Sequence, residues 1–292
     1  MTFVLLAAAL LARAQGSESV TMLFSQTPRD PVALGMAGTD AALKARQVFA
    51  MPQVEGSVSY QAWQPKSLLG TKNLAARVAY RLKDGLSVRL SFAQDSGEAF
   101  DIADRYADAI SSFKPYGRKI GAGVSLRLSD LFGVSADLHY LDNALAPGAE
   151  YSAFAGDVLF CGRYAGVRAA AGVTSVGTKV TSGDRSFPLP AAAVIAMGYA
   201  EALNDSFAID FSVEGDFYFY GSYRVAAGLE SAFSDLVFVR LGYNFGGYDS
   251  ILPSFASLGL GLKVAGCRLD AAYLAGSAPM GGTFQVGLGY AF

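Results

Sequence analysis

The chain has 292 residues with 23 basic and 25 acidic side chains and a formal net charge of −2, so no basic excess exists to neutralise a phosphate backbone and nucleic acid is excluded as a partner. Hydrophobic residues make up 52% and charged residues 16%, which is apolar for a soluble protein, yet after the first dozen residues no apolar run approaches the ~20 that a membrane helix needs. Two cysteines and one histidine exclude a disulfide framework and a four-thiolate zinc site, and no cofactor or metal is implied.

In chain order, residues 1–14 read as a signal peptide: an apolar run from Phe3 to Leu11, then Ala12-Arg13-Ala14 as a small-x-small site with cleavage after Ala14. No Lys or Arg precedes the run, which points to a start codon upstream, and no Cys sits at the site, which excludes a lipoprotein anchor. Residues 15–53 do not alternate. Within them residues 30–43 are small and flexible around Gly35, Met36 and Gly38, and suit a segment folded into the periplasmic mouth of a barrel as a plug.

From residue 54 to 292 apolar and polar residues alternate in segments of roughly ten, the length a tilted strand needs to cross an outer membrane. The segments are 54–63, 73–82, 86–94, 119–128, 133–141, 151–161, 164–174, 191–200, 206–216, 223–232, 237–245, 256–264, 267–274 and 283–292. The fold class expected is therefore all-β: a transmembrane antiparallel β-barrel of about fourteen strands with a small N-terminal periplasmic plug segment.

The placement of charge is the decisive check, because Arg or Lys facing lipid near the midplane costs on the order of 2–4 kcal/mol whereas a lumen tolerates it. Sorted by parity, Arg77, Arg81, Arg89, Arg127, Asp137, Asp157, Arg168, Asp210, Glu214, Arg224, Glu230, Arg240, Lys263 and Asp270 fall on one face. The other face is apolar and needs a cover; no helices are available, and outer-membrane lipid supplies it. Connections alternate in length too. Those at 83–85, 129–132, 162–163, 201–205, 233–236 and 265–266 are short, like periplasmic turns, whereas those at 64–72, 95–118, 142–150, 175–190, 217–222, 246–255 and 275–282 are longer and would face outside. The longest, 95–118, carries a helical stripe of Phe100, Ala103, Ala107 and Ile110, with Asp101, Asp104, Arg105 and Asp108 opposite, suited to capping the rim. The last strand ends at Tyr290 and Phe292, a terminal aromatic pattern that barrel-assembly machinery reads.

Several of these stretches resemble the PorV/PorQ family of Bacteroidota outer-membrane proteins, relatives of the FadL-like fourteen-stranded barrels. The resemblance lies in Asp30-Pro31-Val32-Ala33-Leu34-Gly35-Met36-Ala37-Gly38, in Ser59-Tyr60-Gln61-Ala62-Trp63-Gln64-Pro65, and in the tail from Pro253-Ser254-Phe255 through Leu269-Asp270-Ala271-Ala272-Tyr273 to Gln285-Val286-Gly287-Leu288-Gly289-Tyr290. It implies a FadL-like barrel with an N-terminal plug and, for some members, a role in type IX secretion through exported cargo or other secretion components. The pattern Asn-Pro-Ala that such proteins often carry before the first strand appears here as Met51-Pro52-Gln53.

Catalytic chemistry finds little support. His139 lies on the inward parity beside Asp137, which removes it from a lipid-facing Ser-His-Asn hydrolase site and suits a lumen hydrogen bond. Gly259, Gly261 and Gly266 lack the strand–turn–helix context of a nucleotide loop and read as small lumen residues and a turn. Asp210, Glu214 and Asp216 form an inward acidic row; hard-cation binding and ion pairing to Arg224 and Arg240 on the next two strands both fit, with pairing favoured. Arg77, Arg81 and Arg89 form a basic cluster near Glu55, either paired or a ring selecting anions. Cys161 and Cys267, on the sixth and thirteenth segments, lie half a circumference apart and are expected to stay unbonded. The expected function is a non-enzymatic barrel of the PorV/PorQ kind, accessory to protein secretion; the alternative is FadL-like transport of small solutes, with fatty acids disfavoured by the charged inward face.

Overall fold

The computed structural model describes residues 20–63, 71–103, 109–182, 184–246, 252–276 and 281–292. The signal-peptide expectation at 1–14 lies outside the described residues. Strands follow in chain order as β1 (Val54–Trp63), β2 (Thr71–Lys83), β3 (Leu86–Ser96), β4 (Phe100–Ala103), β5 (Ala109–Phe113), β6 (Tyr116–Arg127), β7 (Phe132–Ala146), β8 (Ala149–Tyr164) and β9 (Val167–Gly177). They continue with β10 (Val180–Ser182), β11 (Arg185–Phe187), β12 (Ala192–Asn204), β13 (Phe207–Tyr218), β14 (Tyr223–Phe233), β15 (Val237–Gly246), β16 (Phe255–Val264), β17 (Cys267–Gly276) and β18 (Thr283–Ala291).

Fourteen of these form one closed antiparallel barrel, in which each strand pairs with its neighbours in sequence and β1 pairs with β18. All fourteen alternating segments of the sequence are found there, each within a few residues of its expected ends. Closure runs from Glu55 opposite Ala291 to Ala62 opposite Phe284, and two backbone hydrogen bonds between Val54 and Phe292, at 3.0 and 3.1 Å, finish the seam. No strand of the wall is left with an unpaired edge, which is the condition for lying in lipid. Among the described residues, no helix is long and apolar enough to cross a membrane.

Short connections gather at one rim. Ala165–Gly166 and Ala265–Gly266 each have two successive positive φ angles (47° and 82°; 50° and 81°), the backbone of the tight hairpin turn that matches strand twist. At the opposite rim two expectations are corrected. The stretch with the helical stripe forms a hairpin instead: β4 pairs with β5, and Phe100 and Phe113 meet with ring centroids 5.8 Å apart, while 104–108 lie outside the described residues. Across this hairpin Phe100 faces Phe113, and Ala103 faces Ala109 beyond a register shift. Residues 142–150 are not a loose loop either, because β7 and β8 run on past the wall to a two-residue turn at Pro147 and Gly148 (φ 76°).

Parity assigns the two faces as charge required. Leu90, Phe160 and Leu260 point outward with 66%, 65% and 55% of their surface exposed, and the belt they belong to is far larger than the apolar patches soluble monomers tolerate. Arg240, Glu214, Glu230 and Asp210 face the lumen and are buried. The lumen is filled by the chain before β1: a 3-10 turn (Leu23–Gln26), helix α1 (Pro31–Gly35) and helix α2 (Asp40–Phe49).

Candidate functional site

The inserted segment reaches deeper than a plug confined to one mouth. Met22 packs with Leu141, Ala153, Val180 and Leu189 in the long-loop half, while Phe49 lies under the Arg163 guanidinium, 4.9 Å from its ring centre, at the short-turn rim. Residues 30–43, expected at the short-turn mouth, sit around mid-height, because the wall glycines that admit them lie in the middles of their strands.

Helix α1 begins with Pro31 at its first position and with the Asp30 carboxylate accepting from Val32 N–H at 2.8 Å, the usual way to satisfy an orphan donor. It docks on a floor of glycines from β14, β15, β16 and β18. A methyl group on Gly228 would lie 2.6 Å from Met36 Cβ, one on Gly242 2.6 Å from Ala37 N, and one on Gly287 2.7 Å from Pro31 Cγ. Ser257 Oγ donates to Gly35 O (2.9 Å) and accepts from Ala37 N–H (3.0 Å), locking the register of helix on wall. Gly38 leaves the helix at φ +83° beside Arg224, a turn that also needs glycine. Upstream, Ser59 and Gln285 both donate to Arg29 O at 2.7 Å, and Gln26 donates to Ser175 Oγ at 2.8 Å.

Helix α2 lacks a side-chain cap of its own: Thr39 hydrogen-bonds Ser212 instead (2.9 Å). The wall supplies the cap, as Glu214 Oε2 accepts from Ala41 N–H (2.7 Å) and Ala42 N–H (3.4 Å), placing a carboxylate on the positive end of the helix. One face of α2, with Ala41, Ala45, Val48 and Phe49, packs on Leu159, Ala170, Val194 and Tyr218. The other face carries Lys44, which reaches Asp137 (3.2 Å) and Asp157 (3.6 Å), and Arg46, which reaches Asp210 and Glu230 (both 3.3 Å). Burial opposes the Lys44 ammonium, but the two carboxylates more than offset it and hold its pKa above the ordinary lysine value.

Of the two arginines expected to meet the acidic row, Arg224 does, whereas Arg240 turns to Glu230 and Asp270 and leaves Asp210 to Arg168. Arg224 bridges Asp216 (2.6 Å) and Glu214 (2.9 Å), Arg168 pairs with Asp210 (2.6 Å), and the fully buried Arg240 lies 2.6 Å from Glu230 and 2.9 Å from Asp270. Arg268 joins the same two carboxylates at 3.3 and 2.9 Å. Such buried pairs add little net stability against an apolar alternative, but removing one partner strands the other, so they fix register. Arg77, Arg81 and Arg89 do not form a ring of free cations: Arg77 pairs with Glu55, Arg81 donates to Met51 O (3.2 Å) and Arg89 pairs with Asp137 (2.9 Å). Arg29 pairs with Asp95 (2.8 Å), and Lys263 with Asp235 (2.6 Å) at the rim. His139 hydrogen-bonds Asp157 at 3.0 Å rather than its neighbour Asp137, and its Nδ1 has no partner. Cys161 is buried, Cys267 exposed, and both are free. Among the described residues, no cluster of three or more His, Cys, Asp or Glu could hold a metal.

Beside the inserted segment runs a cavity of about 940 Å³. Arg29, Lys44, Arg77, Lys119, His139 and Arg268 line it, and it reaches the short-turn rim at Asp235, Lys263 and Ala291. Sequence reasoning missed Lys119, Lys44 and Arg46 as lumen groups. Lys119 stands at the edge of its segment, and the two helix residues carry no strand parity by which to sort them.

No family model matches the chain, and no curated protein sequence matches it. Among solved structures it is similar to the P. putida toluene transporter TodX (11% identity, 89% of this chain and 97% of that one, TM-score 0.57). It is likewise similar to the Ralstonia pickettii toluene transporter TbuX (9%, 91% and 98%, 0.56) and to a Pseudomonas aeruginosa FadL homologue (11%, 92% and 95%, 0.52). At such identities the likeness is one of fold, and the chain has the fold of the FadL-like outer-membrane β-barrels.

Proposed function

We propose that this chain is a non-enzymatic transport barrel of the outer membrane, conducting small polar solutes along the cavity beside its inserted segment. The observation that carries this reading is that cavity: about 940 Å³, walled by charge of both signs and continuous to the short-turn rim, inside a barrel whose outer face is apolar. Its structural neighbours being channels and transporters supports transport over the secretion-accessory expectation. Membership of the PorV/PorQ family, a Bacteroidota source and type IX partners rest on the terminal motifs alone and stand behind the transport reading. Toluene is not carried over from the neighbours, since an apolar solute gains nothing from walls bearing Arg77, Lys44 and Arg268. Assembly machinery reading Tyr290 and Phe292, both exposed on the closing strand, belongs to the same proposal. The test is uptake by proteoliposomes containing the folded protein. Passage of small hydrophilic solutes above that of empty vesicles is expected; entry of none of them would overturn transport and return secretion to the front.

A further inference from the structure

The cavity contains charges left over after every pair is counted. The ion pairs described above account for the other charged side chains that line it, yet Lys119, Asp30 and Asp40 have no ion-pair partner among the described residues. Asp30 uses one oxygen to cap α1; Asp40 is exposed to the cavity and makes no hydrogen bond through its side chain. Lys119 points inward from β6, with Ala93 opposite it on β3, and makes no hydrogen bond either.

Unsatisfied polar atoms gather on the Lys119 side. Two residues along β6, a methyl group on Gly121 would lie 2.5 Å from both His139 Nδ1 and Ser91 Oγ, so the glycine is what lets these two side chains close over the strand. His139 has only 7% of its side chain exposed, lines the cavity, and leaves that Nδ1 without a partner. Arg29, held to Asp95 by one nitrogen, leaves Nε and Nη1 buried without partners. A buried donor or acceptor with no partner costs on the order of 1–3 kcal/mol, so several around one cavity mark a place where something polar binds.

We infer that the cavity holds a small zwitterion, a free amino acid or short peptide, with its carboxylate on Lys119 and its ammonium on Asp40 and Asp30. This rests on the transport reading and names its substrate class. A neutral solute satisfies neither pole; a simple anion or cation satisfies one and leaves the other uncompensated. Lys44 and Arg224 act on Asp40, and Asp137 and Asp157 on Lys119, from beyond ion-pair distance, and each of these four is itself paired elsewhere.

Four alanine derivatives of similar size test this in proteoliposomes: alanine, the N-acetylated anion, the amide cation and the doubly blocked neutral form. Alanine is expected to pass about tenfold faster than the neutral form, the worth of one charge-assisted contact. Lys119→Gln lowers the rates of alanine and N-acetylalanine relative to the neutral form; Asp40→Asn lowers those of alanine and its amide. Trialanine run beside alanine separates a peptide site from an amino-acid site. Equal rates for all four derivatives, or an unchanged profile in both variants, overturns the inference. Neither variant removes a hydrogen bond or an ion pair, so heat-modifiable migration should show both folded. If nothing crosses, equilibrium dialysis of alanine and trialanine against the detergent-solubilised protein decides: binding weakened by Lys119→Gln retains the site and refutes transport, whereas no binding refutes the site.

Discussion

Gly35 of α1 and Gly259 of β16 approach so closely that a methyl group built on either would lie 3.1 Å from the other's Cα. Helix backbone therefore rests on wall backbone, with no side chain between them, and the same holds where Met36 covers Gly228. Gly228→Leu and Gly259→Leu should leave the barrel closed but lift the inserted segment. The chain's one tryptophan, Trp63, packs against the cluster of Leu34, Ala37 and Phe255, so its emission should shift to the red in both variants while heat-modifiable migration persists. Unchanged emission would mean that the segment does not depend on the glycine floor.

Leu90→Arg and Leu260→Arg place a charge on the lipid face near mid-strand, at a cost of roughly 2–4 kcal/mol each. Ser91→Arg puts the same charge into the lumen, where the cavity has room and counter-charges. Folding yields into lipid should fall for the first two and hold for the third; equal yields for all three would argue against a bilayer around the barrel.

The wall was legible because strand parity and the cost of charge in lipid constrain the same residues: a register that turns Leu241 and Leu269 out to lipid necessarily turns Arg240 and Asp270 inward. Rim and lumen were less so. The hairpin of Phe100 and Phe113 depends on a partner strand that local sequence does not reveal, and the apolar residues there satisfy a helical period by coincidence. Among the site residues, Arg224 and Glu214 were legible as an inward pair, but the role of Glu214 as cap to α2 was not, since it acts on a segment 172 residues away in sequence. Likewise Gly259, which reads as a small lumen residue open to exchange, is in fact pressed against Gly35.

Glu214→Leu removes the acceptor of Ala41 N–H and one of the two carboxylates on Arg224. Leaving that donor buried and bare costs about 1–3 kcal/mol. The loss should appear as a lower urea midpoint for the Trp63 transition, whereas Glu214→Gln, which keeps an acceptor, should recover part of it. Identical midpoints for wild type and Glu214→Leu would show that α2 is held by its apolar face alone.

Lys44 and Arg46 are the cations that the inserted segment contributes to an acidic stripe of the wall, Asp137, Asp157, Asp210 and Glu230. Replacing both with Met takes two positive charges from the lumen and leaves the carboxylates facing the cavity. Reversal potentials across a potassium chloride gradient should move toward cation selectivity. No shift, in channels that still conduct, would place these groups off the ion path.

Deletion of residues 20–50 is the most direct test of what the inserted segment does. That stretch runs from Met22 in the long-loop half to Phe49 at the short-turn rim, and it occupies lumen that a fourteen-stranded wall is too wide to fill with its own side chains. The wall does not need it for closure, because the seam between β1 and β18 is made from Val54 onward. The truncated chain should therefore remain heat-modifiable, though less stable, since Asp210, Glu214 and Arg224 lose partners they now have in the segment. Single-channel conductance should rise several-fold, roughly as expected when a plugged lumen becomes an aqueous channel. An intact protein that already conducts as widely as the truncated one would show that the segment lies aside during conduction, so that the path would have to run elsewhere than the cavity beside α2.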